Sequence, residues 1–479
     1  MNEHVENKCK LKHEPAYYQT TFFKWRQRIG FGISDYACNL AYLLVNTYLL
    51  FYYTNCAGLG AGAVGFMFVI TKIFDGVTDY LVGIMIDRTN TKMGRNRPWM
   101  FWGAPVLAVG MVLLFCVPVG WAAGPKLVWA YLTYMVFSFG YTLVNIPMGS
   151  ILPSLSADSV ERTKIVTSRT IFSNLGSLTS AAMVIPMVYF FAGGQDAGNA
   201  ALAVGYRNTN IILGIIVIVI MWICVMSIEE VNPPMIVKKV KGEGILKDLG
   251  YVFRTKPFML MLGVAFVLFI GYYAMYNAIQ YYFTYVLGDV SKMSLAVSLL
   301  TITPIVTQLL STLLNAKISK RNIMQIGAVV DLVAYIVLFF STNTTIVYIA
   351  VAFVGLGFGL RQVMYFSMLA DCVDYGEWKF GKSLAGTQGA VLGFAGKISS
   401  AIASAAISFL LVQGAYDANA AVQASSAVTA IRIGFAGISI VTCLISIFLM
   451  IPYDLDKNYA KIKKEIDAKR VGDQNKMQG

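Results

Sequence analysis

The sequence predicts an all-α polytopic membrane protein, with twelve transmembrane helices in two six-helix halves. Composition is the first reason: of 479 residues, 57% are apolar and 13% charged, whereas a soluble chain carries roughly a quarter charged residues. Length is the second, because apolar runs of the ~20 residues that a spanning helix needs recur along nearly the whole chain. Symmetry is the third: a polar stretch in mid-chain separates six such runs from six more.

Taken in order, the first half reads as spans at 29–54, 62–86, 99–119, 127–151, 165–192 and 209–228. Ahead of it, residues 1–28 form a tail with six basic residues. That tail lacks an apolar core followed by a small-residue cleavage site, so no cleavable signal peptide is expected and the first span itself directs insertion. Residues 229–256, with NPP and KKVKGEG, read as a central linker. The second half follows with spans at 257–287, 291–315, 323–341, 344–369, 387–413 and 429–451, before a charged tail at 452–479.

The net charge of +13 does not point to nucleic acid, because the Lys and Arg residues sit in the tails and in alternate short loops. Basic residues crowd the N-terminal tail, the loop at 87–98, the linker, KISKR at 317–321 and the C-terminal tail. Loops on the opposite face carry at most one basic residue each. Positive charge marks the cytoplasmic side, so both termini and the linker are expected there. The seven cysteines are scattered without a CxxC pair, and both histidines, His4 and His13, lie in the N-terminal tail. Neither a disulfide framework, a buried zinc site nor a Ser-His hydrolase is expected.

Charged side chains inside spans carry the functional signal, since each costs about 2.5–3.5 kcal/mol at the bilayer centre and persists where it faces a polar interior. The stretch IFDGVTDYLVGIMI at 73–86 places Asp75 and Asp79 four residues apart on one helical face, with Thr78 beside them. Two carboxylates this close do not both stay ionised in a dry site unless a cation joins them or one takes a proton. That is the chemistry of a coupling-ion site; the other reading is a structural ion pair with Lys72 or Lys397. Asp35, near Tyr36 and Asn39, then Asn145 and Thr142 on one face of the fourth span, and Arg169 in the fifth offer hydrogen bonds beside aromatic rings. Such a set suits a ligand with many hydroxyls and apolar CH faces, namely a sugar. Taken singly, Asn145 before Pro147 also fits a backbone-satisfying role, and Arg169 a gate. Asp331 and Arg361 have no motif around them and read as structural.

Three stretches carry a family likeness: TKIFDGVTDYLVGIMIDRTNTKMGRNRPW at 71–99, YTLVNIPMGSILP at 141–153 and ADCVDYGEWKFGKSLAG at 370–386. Together they resemble the glycoside–pentoside–hexuronide:cation symporters of the major facilitator superfamily, from Ile29 to Pro452. The likeness is to glucuronide and pentoside carriers more than to melibiose carriers. The resemblance implies the major facilitator fold and a cation site at Asp75, Asp79 and Thr142, with Thr78 in the fourth position. Those four would be metal ligands if the cation is sodium; melibiose carriers have asparagine at the position of Thr78, so sodium and proton both stay open. It implies sugar contacts at Asp35, Arg169 and Lys397, with Lys397 between the two sites. Melibiose carriers have an acidic residue in place of Asn145 and tryptophan in place of Gly149, so a galactoside preference does not carry over. Asp371, Asp374 and Glu377 match the family's cytoplasmic loop between spans 10 and 11, either in an inner gate or as solvated charges at a helix end.

The expectation is a cation-coupled importer of a sugar or glycoside, such as a glucuronide, pentoside or related oligosaccharide. It would work as a monomer in a bacterial cytoplasmic membrane, by alternating access with substrate bound near the midplane between the halves. No cofactor or nucleic acid is called for, and the partners are the sugar, the cation and the bilayer. An uncoupled facilitator or channel would not need the Asp75–Asp79 pair. A membrane-embedded transferase would want a large catalytic loop, which is missing.

Overall fold

The structure is a computed structural model that describes residues 17–465 apart from positions 90, 119, 157, 196, 232–244, 316, 382–383, 419, 421, 460 and 463. The chain forms two units, Met1–Lys238 and Lys239–Gly479, each with its own helix packing. In the first, α1 (Thr21–Phe51) starts where the Thr20 side chain accepts a hydrogen bond from the Phe23 amide. It is followed by α2 (Ala61–Arg88), α3 (Arg97–Leu114), α4 (Ala123–Ser150), the short α5 (Leu152–Leu155), α6 (Ser159–Ala192) and α7 (Asn199–Ser227). The second holds α8 (Ile245–Phe253), α9 (Lys256–Tyr281), α10 (Met293–Asn315), α11 (Lys320–Phe340), α12 (Thr344–Phe380), α13 (Ala385–Gln413), α14 (Ser425–Arg432) and α15 (Ile438–Met450).

Among the described residues, 11 helical stretches are long and apolar enough to cross a membrane. With 31 residues α1 is long enough too, but Asp35, Asn39 and Asn46 dilute its apolar character. It is the twelfth span, and two of the residues that dilute it, Asp35 and Asn39, belong to the candidate site. Helix α2 has two kinds of surface. Ile73, Val77 and Tyr80 are exposed, while Asp75 and Thr78 are buried.

The two units repeat one pattern of helix packing. In the first unit α1 packs on α6 and α7, α3 on α4 and α7, and α2 on α4. In the second, α9 packs on α13 and α15, α11 on α12 and α15, and α10 on α12. The first span of each half also ends the same way. A π turn at Tyr52–Cys56 closes with Ala57 N donating to Tyr52 O at 2.9 Å. Another at Tyr282–Val286 closes with Leu287 N donating to Tyr282 O at 3.1 Å. Gly58 (φ 68°) and Gly288 (φ 70°) then take the left-handed conformation that only glycine adopts without steric cost, and the helix stops.

Several boundaries differ from the hydropathy reading. Helix α1 starts at Thr21 rather than 29, α7 starts at Asn199 rather than 209, α12 runs to Phe380 rather than 369, and the stretch expected to be a polar linker contains α8. Val252 of α8 is fully buried, and its neighbour Tyr251 meets the Phe380 ring at 4.9 Å. The predicted C-terminal tail likewise contributes Tyr453, Leu455 and Ile462 to a core with Phe258, Met324 and Met368. Charged residues lower mean hydropathy at helix ends, so an apolar window closes before the helix does.

Candidate functional site

The acid pair of α2 is matched rung for rung by two hydroxyls of α4. Ser138 Oγ donates to Asp75 Oδ1, and Thr142 Oγ1 donates to Asp79 Oδ1 at 2.9 Å. Both pairs are spaced by four residues, so one turn of α2 lies against one turn of α4. Asp75, Thr78 and Thr142 are buried and Asp79 is half-buried. Thr78 Oγ1 donates to the Asp75 carbonyl at 3.0 Å, which leaves its lone pairs as acceptors. Hard oxygens from carboxylates and hydroxyls suit a small monovalent cation or a proton. Lys72 Nζ lies 3.4 Å from Asp75 Oδ2, so the ion pair with Lys72 weighed from the sequence is also present. Ser138 escaped the sequence reading; its spacing of four residues from Thr142, repeating that of Asp75 and Asp79, was the available signal.

The candidate sugar residues gather on α1 and α6. Arg169 Nε donates to Asp35 Oδ2 at 3.0 Å, and both side chains are partly open to solvent. Asn39 Nδ2 donates back to the Asp35 carbonyl at 2.9 Å, and Tyr36 donates its hydroxyl to Thr179 Oγ1 at 3.1 Å. The two helices approach this closely because Gly176 of α6 lies against the Tyr36 carbonyl, where a Cβ would collide. Asn145 is half-buried on α4, three residues beyond Thr142, so the same helix carries a cation candidate and a sugar candidate. Tyr42 of α1 and Tyr141 of α4, with ring centroids 5.6 Å apart, were missed. Both are half-buried and within two turns of Asp35 and Thr142. Half-buried aromatic faces suit the CH side of a sugar ring.

Lys397 stands half-buried on α13, in the second unit. Asp371, Asp374 and Glu377 are not in a loop, as expected, but on the last turns of α12, which ends only at Gly381. Asp371 is buried and paired with Lys320 at 2.6 Å, and Tyr459 donates its hydroxyl to Asp374 Oδ2 at 2.6 Å. A helix exposes one side to its own bundle, and Asp371 and Asp374 find partners there. Asp331 and Arg361 bind each other at 2.8 Å, both 2% exposed, with Ser446 Oγ accepting from Arg361 Nη2 at 3.1 Å. That fits the structural reading.

Two acids assigned to the linker prove to be anchors. Glu229 pairs with Arg26 at 2.6 Å. Glu230 accepts from the Asn96 amide at 2.8 Å and the Arg97 amide at 3.3 Å, a carboxylate at the N-terminus of α3 where the free amides and helix dipole favour it. Nothing local in the sequence announces that contact.

Residues 30–457 match the family model described as MFS/sugar transport protein. The chain belongs to this family. It is 32% identical over 454 residues to the isoprimeverose transporter of Lactiplantibacillus pentosus, covering 93% of this chain and 92% of the relative. It is 30% identical over 458 residues to the glucuronide carrier protein homolog of Escherichia coli K12, covering 93% and 96%. With a putative glycoside/cation symporter of the same bacterium at 27% identity over 432 residues, these relatives place it among the glycoside–pentoside–hexuronide:cation symporters. A solved D-xylose-proton symporter shares its fold at a TM-score of 0.66 and 14% identity, over 92% of this chain and 99% of that one. The family member is a multi-pass membrane transporter of the sugar-transport class, not an enzyme.

Proposed function

We propose that the protein imports a glycoside, of the pentoside or glucuronide kind, together with a coupling cation held at Asp75 and Asp79. The observation that carries this reading is the paired ladder of Asp75 with Ser138 and Asp79 with Thr142. Two acids and two hydroxyls gather on facing helices of a membrane protein, where unneutralised carboxylates are costly. The named relatives, a transporter of isoprimeverose and a carrier homolog for glucuronides, support a glycoside rather than a free ion or lipid. Asp35 and Arg169 supply acceptors and a donor fork for sugar hydroxyls, and Tyr42 and Tyr141 supply apolar faces.

Coupling follows from the energy of the empty site. Without its cation the acid pair carries excess negative charge, and a closed, water-poor state disfavours it; cation and sugar together relieve this. The cation therefore shifts the balance between states by its differential affinity for them. The protein lies in the bacterial inner membrane with both ends in the cytoplasm, as the basic loops indicate. The test is sugar uptake by vesicles carrying Asp79→Cys, with and without an imposed sodium or proton gradient. Sugar exchange should survive while cation stimulation and uphill accumulation disappear; accumulation equal to wild type refutes the coupling role.

A further inference from the structure

Lys72 stands three residues before Asp75, one turn earlier on α2, with Nζ 3.4 Å from Asp75 Oδ2. The same ammonium lies 5.6 Å from the centre of the Tyr134 ring on α4. Its side chain is 15% exposed and that of Asp75 is 9% exposed, so water screens the pair weakly. The groups shown against it are Asp75 from α2 and Tyr134 from α4, and Ser138, one turn beyond Tyr134, holds the other oxygen of Asp75.

We propose that Lys72 is a tethered counter-cation that competes with the transported cation for Asp75, and so sets how tightly and which cation the acid pair takes. The proposal rests on reading Asp75 and Asp79 as the coupling site. An ammonium carries the charge of a sodium ion and seeks the same oxygens, but it never leaves the protein. In the cation-free state it neutralises Asp75 at one oxygen while Ser138 satisfies the other. An arriving monovalent ion has to draw Asp75 Oδ2 from Nζ and then accept a fixed positive charge a few ångströms away. At that separation like charges repel by an amount worth about one to three decades of affinity, depending on local screening. The displaced ammonium has a ready resting place over the Tyr134 ring, where a cation–π contact offsets part of its loss. Lys72 already touches both partners, Asp75 Oδ2 at 3.4 Å and the Tyr134 ring at 5.6 Å, and occupancy of the site decides how its charge is divided between them.

The test is calorimetric titration of purified carrier with sodium chloride at fixed pH, with choline chloride holding ionic strength constant. Lys72→Met and Lys72→Gln should bind sodium at least about tenfold more tightly than wild type, or gain binding that wild type lacks, while Lys72→Arg stays near wild type. Neutral variants that bind no tighter than wild type, or fail to bind at all, overturn the proposal, as does Lys72→Arg behaving like Lys72→Met. If the neutral variants do not purify as folded protein, Tyr134→Leu decides: removing the resting place should weaken sodium binding, and an unchanged affinity overturns the proposal. Asp79→Asn separates the two readings. Sodium binding that persists in it removes the acid pair as the site, and the proposal with it. Binding lost in Asp79→Asn but unchanged in Lys72→Met overturns the Lys72 role alone.

Discussion

Replacing Asp331 by Asn removes the negative charge from an ion pair enclosed by α11, α12 and α15. Arg361 then keeps its full charge at 2% exposure, with Ser446 and the Cys443 thiol as neutral partners. The site cannot relax easily: Asp331 Oδ1 lies so close to Gly357 that a Cβ there would collide, and a Cβ on Gly327 would lie 2.8 Å from Arg361 Cγ. Breaking one side of such a pair costs about 3–5 kcal/mol, whereas replacing both sides by apolar groups is often neutral. Asp331→Asn and Arg361→Met should each lower the thermal midpoint of the purified carrier and its level in the membrane. The double variant Asp331→Ala with Arg361→Met should recover most of both, to within about 2 kcal/mol of wild type. The assay is thermal unfolding in detergent alongside uptake in vesicles. If Asp331→Asn is as stable as wild type, the enclosed-charge reasoning fails. If the double variant is stable but does not transport, the charges serve translocation and the structural assignment is wrong.

Two further outcomes are expected. Asp35→Asn should weaken sugar binding by roughly one to two orders of magnitude without unfolding the protein, because charge-assisted hydrogen bonds are worth about 1.5–3 kcal/mol each; wild-type affinity on purified carrier would remove Asp35 from the sugar site. A reporter fused after Gly479, or inserted near Gly242, should read as cytoplasmic, and an external signal at either position would overturn the orientation taken from the basic loops.

What the sequence determined by itself was whatever is written in local composition. Spans announce themselves because lipid tolerates only long apolar helices with internally satisfied backbones, and Asp75, Asp79, Asp35 and Arg169 announce themselves because charge is rare in such runs. Their spacing of four residues also placed Asp75 and Asp79 on one face before any packing was known. Tertiary structure alone decided the partners. Ser138 lies 63 residues from Asp75 in sequence, and its spacing of four from Thr142 gains meaning only when α2 and α4 are seen side by side. Glu230 looked like part of a polar linker because its partners, the free amides at the start of α3, lie more than 130 residues earlier. The carboxylates of α12 looked like loop charges because hydropathy measures transfer to lipid, and a helix end that pairs its acids with Lys320 and Tyr459 never makes that transfer. A charge inside a span can be read from one residue, but what neutralises it depends on which helices the packing brings together.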